Sequence, residues 1–149
     1  EIIYENLENE CRDESNHKAF TSRTPPKITV EEYLLRIEKY THLEYNSLVG
    51  ALIYIDKACK EGNIALGEEN VHKLVLISCV LSVKYLEDDI YTNDFYAKVG
   101  GVSLEEFNDI ERAMVVDVLN FSCYIDRTTF KQYNNFLTGY IANNKEKDR

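Results

Sequence analysis

Asn70-Val71-His72-Lys73-Leu74-Val75-Leu76-Ile77-Ser78-Cys79-Val80-Leu81-Ser82-Val83-Lys84-Tyr85 is the stretch that decides the fold. Between Leu74 and Val83 the only polar residues are Ser78 and Ser82, four apart, and their hydroxyls can bond back to the preceding turn. A strand this long would be unusual, so the stretch reads as a helix that is apolar on every side. Such a helix has to be surrounded by others. The run is too short to span a bilayer, and charge flanks it closely. It ends in Lys84, just ahead of Glu87-Asp88-Asp89. A cation emerging from the end of a buried helix therefore needs a reason.

Outward from this helix, the totals describe one ordinary domain. At 149 residues the chain is long enough for a real core, and its hydrophobic fraction of 44% argues for a globular fold. Lys and Arg number 17 against 26 Asp and Glu, a net charge of -9. That balance disfavours nucleic-acid binding, which depends on clustered cations, and favours a basic partner surface. Cys11, Cys59, Cys79 and Cys123 are widely spaced without a C-x-x-C, and His17, His42 and His72 are equally scattered. No metal or other cofactor is expected. Cys59, Cys79 and Cys123 lie in apolar contexts and read as small core residues in a reducing, intracellular setting. No signal peptide is read in Glu1-Ile2-Ile3-Tyr4, and no membrane segment is expected.

Residues 1 to 22 form a polar, partly flexible arm in which Ile2, Ile3, Tyr4, Leu7 and Phe20 are candidate anchors. Arg23-Thr24-Pro25-Pro26 is an extended lead-in, because each residue before a proline is pushed out of the helical region. Thr29 with Glu32 makes a capping box for a helix carrying Val30, Tyr33, Leu34, Ile37 and Tyr40. A second helix runs from Asn46 to Lys60, with Gly62 suited to a left-handed cap. Glu68 and Glu69 favour the dipole at the start of the central helix. A short helix, Asp94 to Val99, is broken by Gly100-Gly101. Ser103 with Glu106 opens a helix from Leu104 to Leu119, striped by Phe107, Ile110, Met114 and Val118. Thr128 or Thr129 starts a last helix, and residues 142–149 read as a polar tail after a domain spanning 23–141. No segment alternates as a strand would, so the expected class is all-α.

Several strings coincide in order: Tyr33-Leu34-Leu35-Arg36-Ile37, Ala51-Leu52-Ile53-Tyr54-Ile55-Asp56-Lys57, Asn70-Val71-His72-Lys73-Leu74, Tyr91-Thr92-Asn93, Tyr96-Ala97-Lys98-Val99-Gly100-Gly101 and Asn108-Asp109-Ile110-Glu111. Together they resemble a cyclin box of the phosphate-response (P/U-type) cyclin group, over roughly Phe20 to Tyr133. The resemblance implies a single five-helix box with an additional C-terminal helix. It also implies a regulatory subunit, monomeric when free, that binds and activates a cyclin-dependent protein kinase and performs no chemistry itself.

Two residue pairs carry over from the resemblance. Lys84 and Glu111 match the lysine and glutamate that contact the kinase main chain, as a donor to carbonyls and an acceptor of amide protons. The alternative is that these two simply pair with each other. Arg36 and Asp56 match an internal ion pair between the first two helices. The sequence departs from the group where His72-Lys73 replaces His-Arg, which alters a bidentate contact. Lys39 and His42 stand where other cyclins carry the leucine and tryptophan of a docking patch, so the first helix is not expected to dock Arg-x-Leu peptides. Two other readings remain. One is a cyclin-fold adaptor without a kinase. The other is a helical magnesium enzyme using Glu87, Asp88 and Asp89 with Asp94, although one acidic cluster supplies only one side of such a site.

Overall fold

The computed structural model describes residues 18–147. The candidate anchors Ile2, Ile3, Tyr4 and Leu7, together with Cys11 and His17, lie outside the described residues. A short 3-10 turn, Lys18–Phe20, precedes α1 (Val30–Thr41), α2 (Tyr45–Lys60), α3 (Val71–Leu86), α4 (Asn93–Gly100), α5 (Leu104–Arg112) and α6 (Arg127–Lys147). Among the described residues there is no strand, and the all-α expectation holds. No described helix is long and apolar enough to cross a membrane.

Helix α3 is the axis of the molecule. All its residues are buried except Lys73, Lys84, Tyr85 and Leu86. The side chains that cover it come from every other part of the box: Phe20 from the arm, Ile37 from α1, Tyr54 from α2, Tyr96 from α4 and Phe107 from α5. Burial pushes the Cys79 thiol up to about 12, so it sits in the core as a neutral, inert group. A smaller second core, Val49, Ile53 and Leu137, joins α6 to the outer face of α2, with Phe130 and Tyr133 packed against it.

The closest approach lies where α2 crosses α3. A Cβ on Gly50 would sit 2.2 Å from Ser82 Oγ, so only glycine admits that hydroxyl. Ser82 Oγ then donates to Ser47 O at 2.6 Å, on the neighbouring helix rather than on its own preceding turn. Ser78 Oγ, also expected to bond back, is buried without a hydrogen-bond partner.

Most helix ends follow local chemistry. Thr29 Oγ1 accepts from Glu32 N at 3.1 Å, and Glu32 Oε2 accepts from Thr29 N at 3.3 Å, which completes the box. Ser103 Oγ accepts from Glu106 N at 3.1 Å. The Glu106 carboxylate is drawn instead to Lys73, so this box is half made. The left-handed residue after α2 is Asn63 (φ 53), not Gly62. Gly62 serves proximity, since a Cβ there would meet Ala58 O at 2.7 Å.

Two boundaries differ from the sequence reading. After Arg112 the expected single helix widens into a π-helical turn, Ala113–Val118. A regular helix would carry Asp117, three residues beyond Met114, onto the apolar face. The extra residue keeps Asp117 exposed and returns Val118 and Leu119 to the core. Helix α6 starts at Arg127 and runs on to Lys147, through residues read as a tail. Nothing in Asn143-Asn144-Lys145-Glu146-Lys147 breaks a helix, and its lysines suit the negative end of the dipole.

Gly50→Ala should cost about 1–3 kcal/mol in denaturant unfolding, through overpacking. Adding Ser82→Ala should recover part of that loss, since the clashing atom is then gone. Equal stability of Gly50→Ala and parent would show that the two helices do not touch there.

The start of α6 gives a pH prediction. Asp126 Oδ1 accepts from Thr129 N at 2.6 Å, and the Thr129 hydroxyl and N–H hold its carboxyl below the ordinary 3.8. The ionised form is the one that caps. Its contribution is therefore complete above the ordinary carboxylate range and is lost as pH falls through the lowered value. In Asp126→Asn this part of the acid dependence should vanish from a melting-temperature series.

Candidate functional site

Because α3 is apolar through Val83, Lys84 is its first residue to reach water at the C-terminal end. Lys84 Nζ lies 2.6 Å from Glu111 Oε2 on α5 and donates to Asn93 Oδ1 on α4, also at 2.6 Å. Asn93 Nδ2 donates in turn to Glu111 Oε1 at 3.3 Å and to Asn108 Oδ1 at 3.1 Å. Three helices thus meet in one closed polar network. The Lys84 and Glu111 side chains keep 25% and 23% of their surface in water. A pair that wet contributes about 0–1 kcal/mol to folding. Its consequence is orientation: lysine has three protons and uses two here, and each glutamate oxygen keeps a lone pair.

Asn93 was missed in the sequence, although it stood inside a quoted string. Its signal was an amide, both donor and acceptor, placed as the first residue of a helix capped by Thr92, whose Oγ1 accepts from Phe95 N at 3.3 Å.

Beside the network, among exposed acidic residues, several large apolar side chains also reach the surface. Tyr85, Leu86, Ile90 and Tyr91 are between 41% and 51% exposed. The loop that carries Ile90 and Tyr91 is held from beneath. Tyr91 stacks on Phe95 with ring centroids 4.4 Å apart, and its N–H donates to the Tyr96 hydroxyl at 3.1 Å. Exposed tyrosines are among the residues enriched at interface hot spots.

The expected Arg36–Asp56 ion pair does not form. Arg36 lies on the exposed side of α1, where its Nε donates to Val99 O at 2.8 Å, near the carbonyl-rich end of α4. Asp56 faces the other way, toward α6: it accepts the Tyr133 hydroxyl and pairs with Lys60 at 3.3 Å. Burial, with Asp56 adding to it, pushes the Tyr133 hydroxyl pKa up, so tyrosine is the donor. The carboxylate taken for an internal counter-ion is the clasp of the last helix.

A second polar region sits at the opposite end of α3. Lys73 Nζ pairs with Glu106 Oε1 at 2.5 Å and donates to Thr21 O at 3.2 Å. Tyr33 OH donates to Gly100 O at 2.6 Å, and His72 Nε2 lies 2.7 Å from Ile28 O. Gly100 is forced here, since a Cβ would fall 2.3 Å from Leu76 Cδ2. The acidic run does not gather: Glu87 accepts from Ser47 Oγ at 2.5 Å, and no three carboxylate, imidazole or thiol side chains are grouped for a metal among the described residues.

Four helices packed around a buried α3, five in all, make a cyclin box. Residues 4–123 match the family model described as Cyclin, and the chain belongs to that family. Cyclins are regulatory subunits rather than enzymes. The chain is 36% identical over 125 residues to Cyclin-U4-3 of Arabidopsis thaliana, covering 83% of this chain and 57% of that protein. It is 31% identical over 125 residues to Cyclin-P3-1 of Oryza sativa subsp. japonica, covering 84% and 52%. It is also 29% identical over 131 residues to PHO85 cyclin-7 of Saccharomyces cerevisiae, covering 80% and 46%. The chain spans about half the length of the curated relatives it matches.

A double-mutant cycle between Asp56→Ala and Tyr133→Phe should return a coupling of about 0.5–3 kcal/mol, as for residues in contact. The cycle between Arg36→Gln and Asp56→Ala should return almost none. Strong coupling in the second cycle would restore the ion pair.

Proposed function

We propose that this chain binds a cyclin-dependent protein kinase inside the cell and activates it, and that the Lys84–Asn93–Glu111 rim is the contact. The observation that supports this most is the polar network shared by three helices and set beside exposed Tyr85, Ile90 and Tyr91. The yeast relative's name, which couples it to PHO85, agrees with a partner. Lys84 donates to main-chain carbonyls of the kinase, and Glu111 accepts its amide protons. Held by each other and by Asn93 in the unbound chain, both are ordered in advance, which lowers the entropic cost of binding. The flanking aromatics exclude water from these charge-assisted bonds. Activation follows if the rim binds one conformation of the kinase better than the others, because a ligand shifts an equilibrium only by its differential affinity.

Lys84→Ala and Glu111→Ala should each weaken kinase binding at least about tenfold, roughly 1.4 kcal/mol. Asn93→Ala should act in the same direction by loosening both. Kinase activation should fall with affinity, while the melting temperature of the unbound variants changes little. Titration calorimetry against recombinant kinases, with a melt alongside, reads all of these. Unchanged affinity in both charge variants would move the docking face elsewhere.

A further inference from the structure

The chain has only two prolines, Pro25 and Pro26, so Thr24-Pro25 is its one hydroxyl residue followed by proline. A cation, Lys27, follows three residues after the threonine. Thr24 is exposed, and the chain bends at Arg23 and Thr24, just ahead of the two prolines, rather than running extended through all four residues as the sequence suggests. The segment is anchored before this point by Ser22 N on Glu69 O at 2.7 Å, and after it by the Thr29 cap.

Arg23 and Pro26, on either side of Thr24-Pro25, both line a cavity of about 640 Å³. Its other walls include Arg36, His72, Lys73 and Glu106. Three cations therefore face one carboxylate, in a chain whose net charge is -9. His72 is only 7% exposed, and its Nδ1 is buried without a partner. With its Nε2–H donated to Ile28 O, the other ring nitrogen keeps a lone pair, so the donors offered to an anion come from Arg23, Arg36 and Lys73 and not from His72. Arg36 spends its Nε on Val99 O, and the rest of its fork suits a phosphate.

We propose that Thr24 is a phosphate-acceptor site for a proline-directed protein kinase, and that the cationic cavity beside it holds the phosphate within the same chain. This rests on the kinase reading above for the class of enzyme at hand. The Thr24 hydroxyl oxygen attacks the γ-phosphorus of a nucleoside triphosphate. The bond from that phosphorus to the bridging oxygen breaks, the nucleoside diphosphate leaves with the electron pair, and the hydroxyl proton passes to the kinase's base. The product adds a charge of about -1.5 to -2 and three acceptor oxygens next to Arg23 and Arg36. Lys73 and Lys84 lie on α3 about 17 Å apart, at roughly 1.5 Å per residue. The phosphate thus forms at the end of the box away from the docking rim and leaves it open.

The purified chain should be incubated with nucleoside triphosphate and an active proline-directed kinase that carries its own activating subunit. A synthetic peptide of residues 20–30 serves as internal control. One phosphate is expected, mapped to Thr24 by mass spectrometry and absent from Thr24→Ala. A general phosphatase should then release it about tenfold more slowly from the folded chain than from the peptide, the ratio that 1.4 kcal/mol of protection gives. Arg36→Gln, or Arg23→Gln on the exposed loop, should bring the rate to that of the peptide. Modification of the peptide but not of the chain overturns the proposal, as does release from the parent chain at the peptide's rate. Because the kinase brings its own activator, a failure of the Lys84 rim to bind kinases does not enter this assay.

Discussion

An apolar helix cannot touch water anywhere along its length, and α3 obeys this from Leu74 to Val83. Everything else is arranged to cover it. Its polar contacts with the outside are consequently confined to its two ends, Lys73 at one and Lys84 at the other. Each end meets a glutamate from α5, Glu106 and Glu111 respectively. Helix α5 is thereby latched to the core helix twice, which fixes its rotation as well as its position. The two chemically rich surfaces of the box are the two rims of one buried rod.

The elements themselves were legible in the sequence, because each rests on local chemistry. The Thr29 and Ser103 caps, the Gly100-Gly101 break and the apolar continuity of α3 act over three or four residues. The position of Lys84 at the end of a buried helix was legible too, whereas its pairing with Glu111 stood in the sequence only as the alternative to a contact with a partner. The Arg36–Asp56 pair failed for the opposite reason. Whether two side chains on adjacent helices meet depends on how each helix is rotated, and nothing local records that. Arg36 turned toward the carbonyls closing α4, and Asp56 toward a tyrosine 77 residues along the chain. Ser82 taught the same lesson on a smaller scale, since its partner became available only because Gly50 lets two helices approach.

Asn93 and the tyrosines share another kind of invisibility. Their hydroxyls and amides are ordinary in sequence and become specific only in place. Tyr54 closes on Cys123 O, Tyr33 on Gly100 O and Tyr133 on Asp56. Each ties a different segment to the box: the link before α6, the last residue of α4, and α6 itself. Buried tyrosine suits this duty because its ring fills the core while its one hydroxyl must find an acceptor.

The π-helical turn after Arg112 bears on how the chain tolerates changes of length. A π turn is a regular helix with one residue more than it needs. Deleting exposed Val116 or Asp117 would return the segment to ordinary pitch while leaving Ala113 and Met114 on one side, and Val118 and Leu119 on the other, where they already pack. In most helices a one-residue deletion rotates everything downstream by about 100° and ruins the buried stripe. Here the spare residue lets the box be shortened at one chosen place without moving Glu111, so the Lys84–Glu111 rim and the length of this helix are free to vary independently.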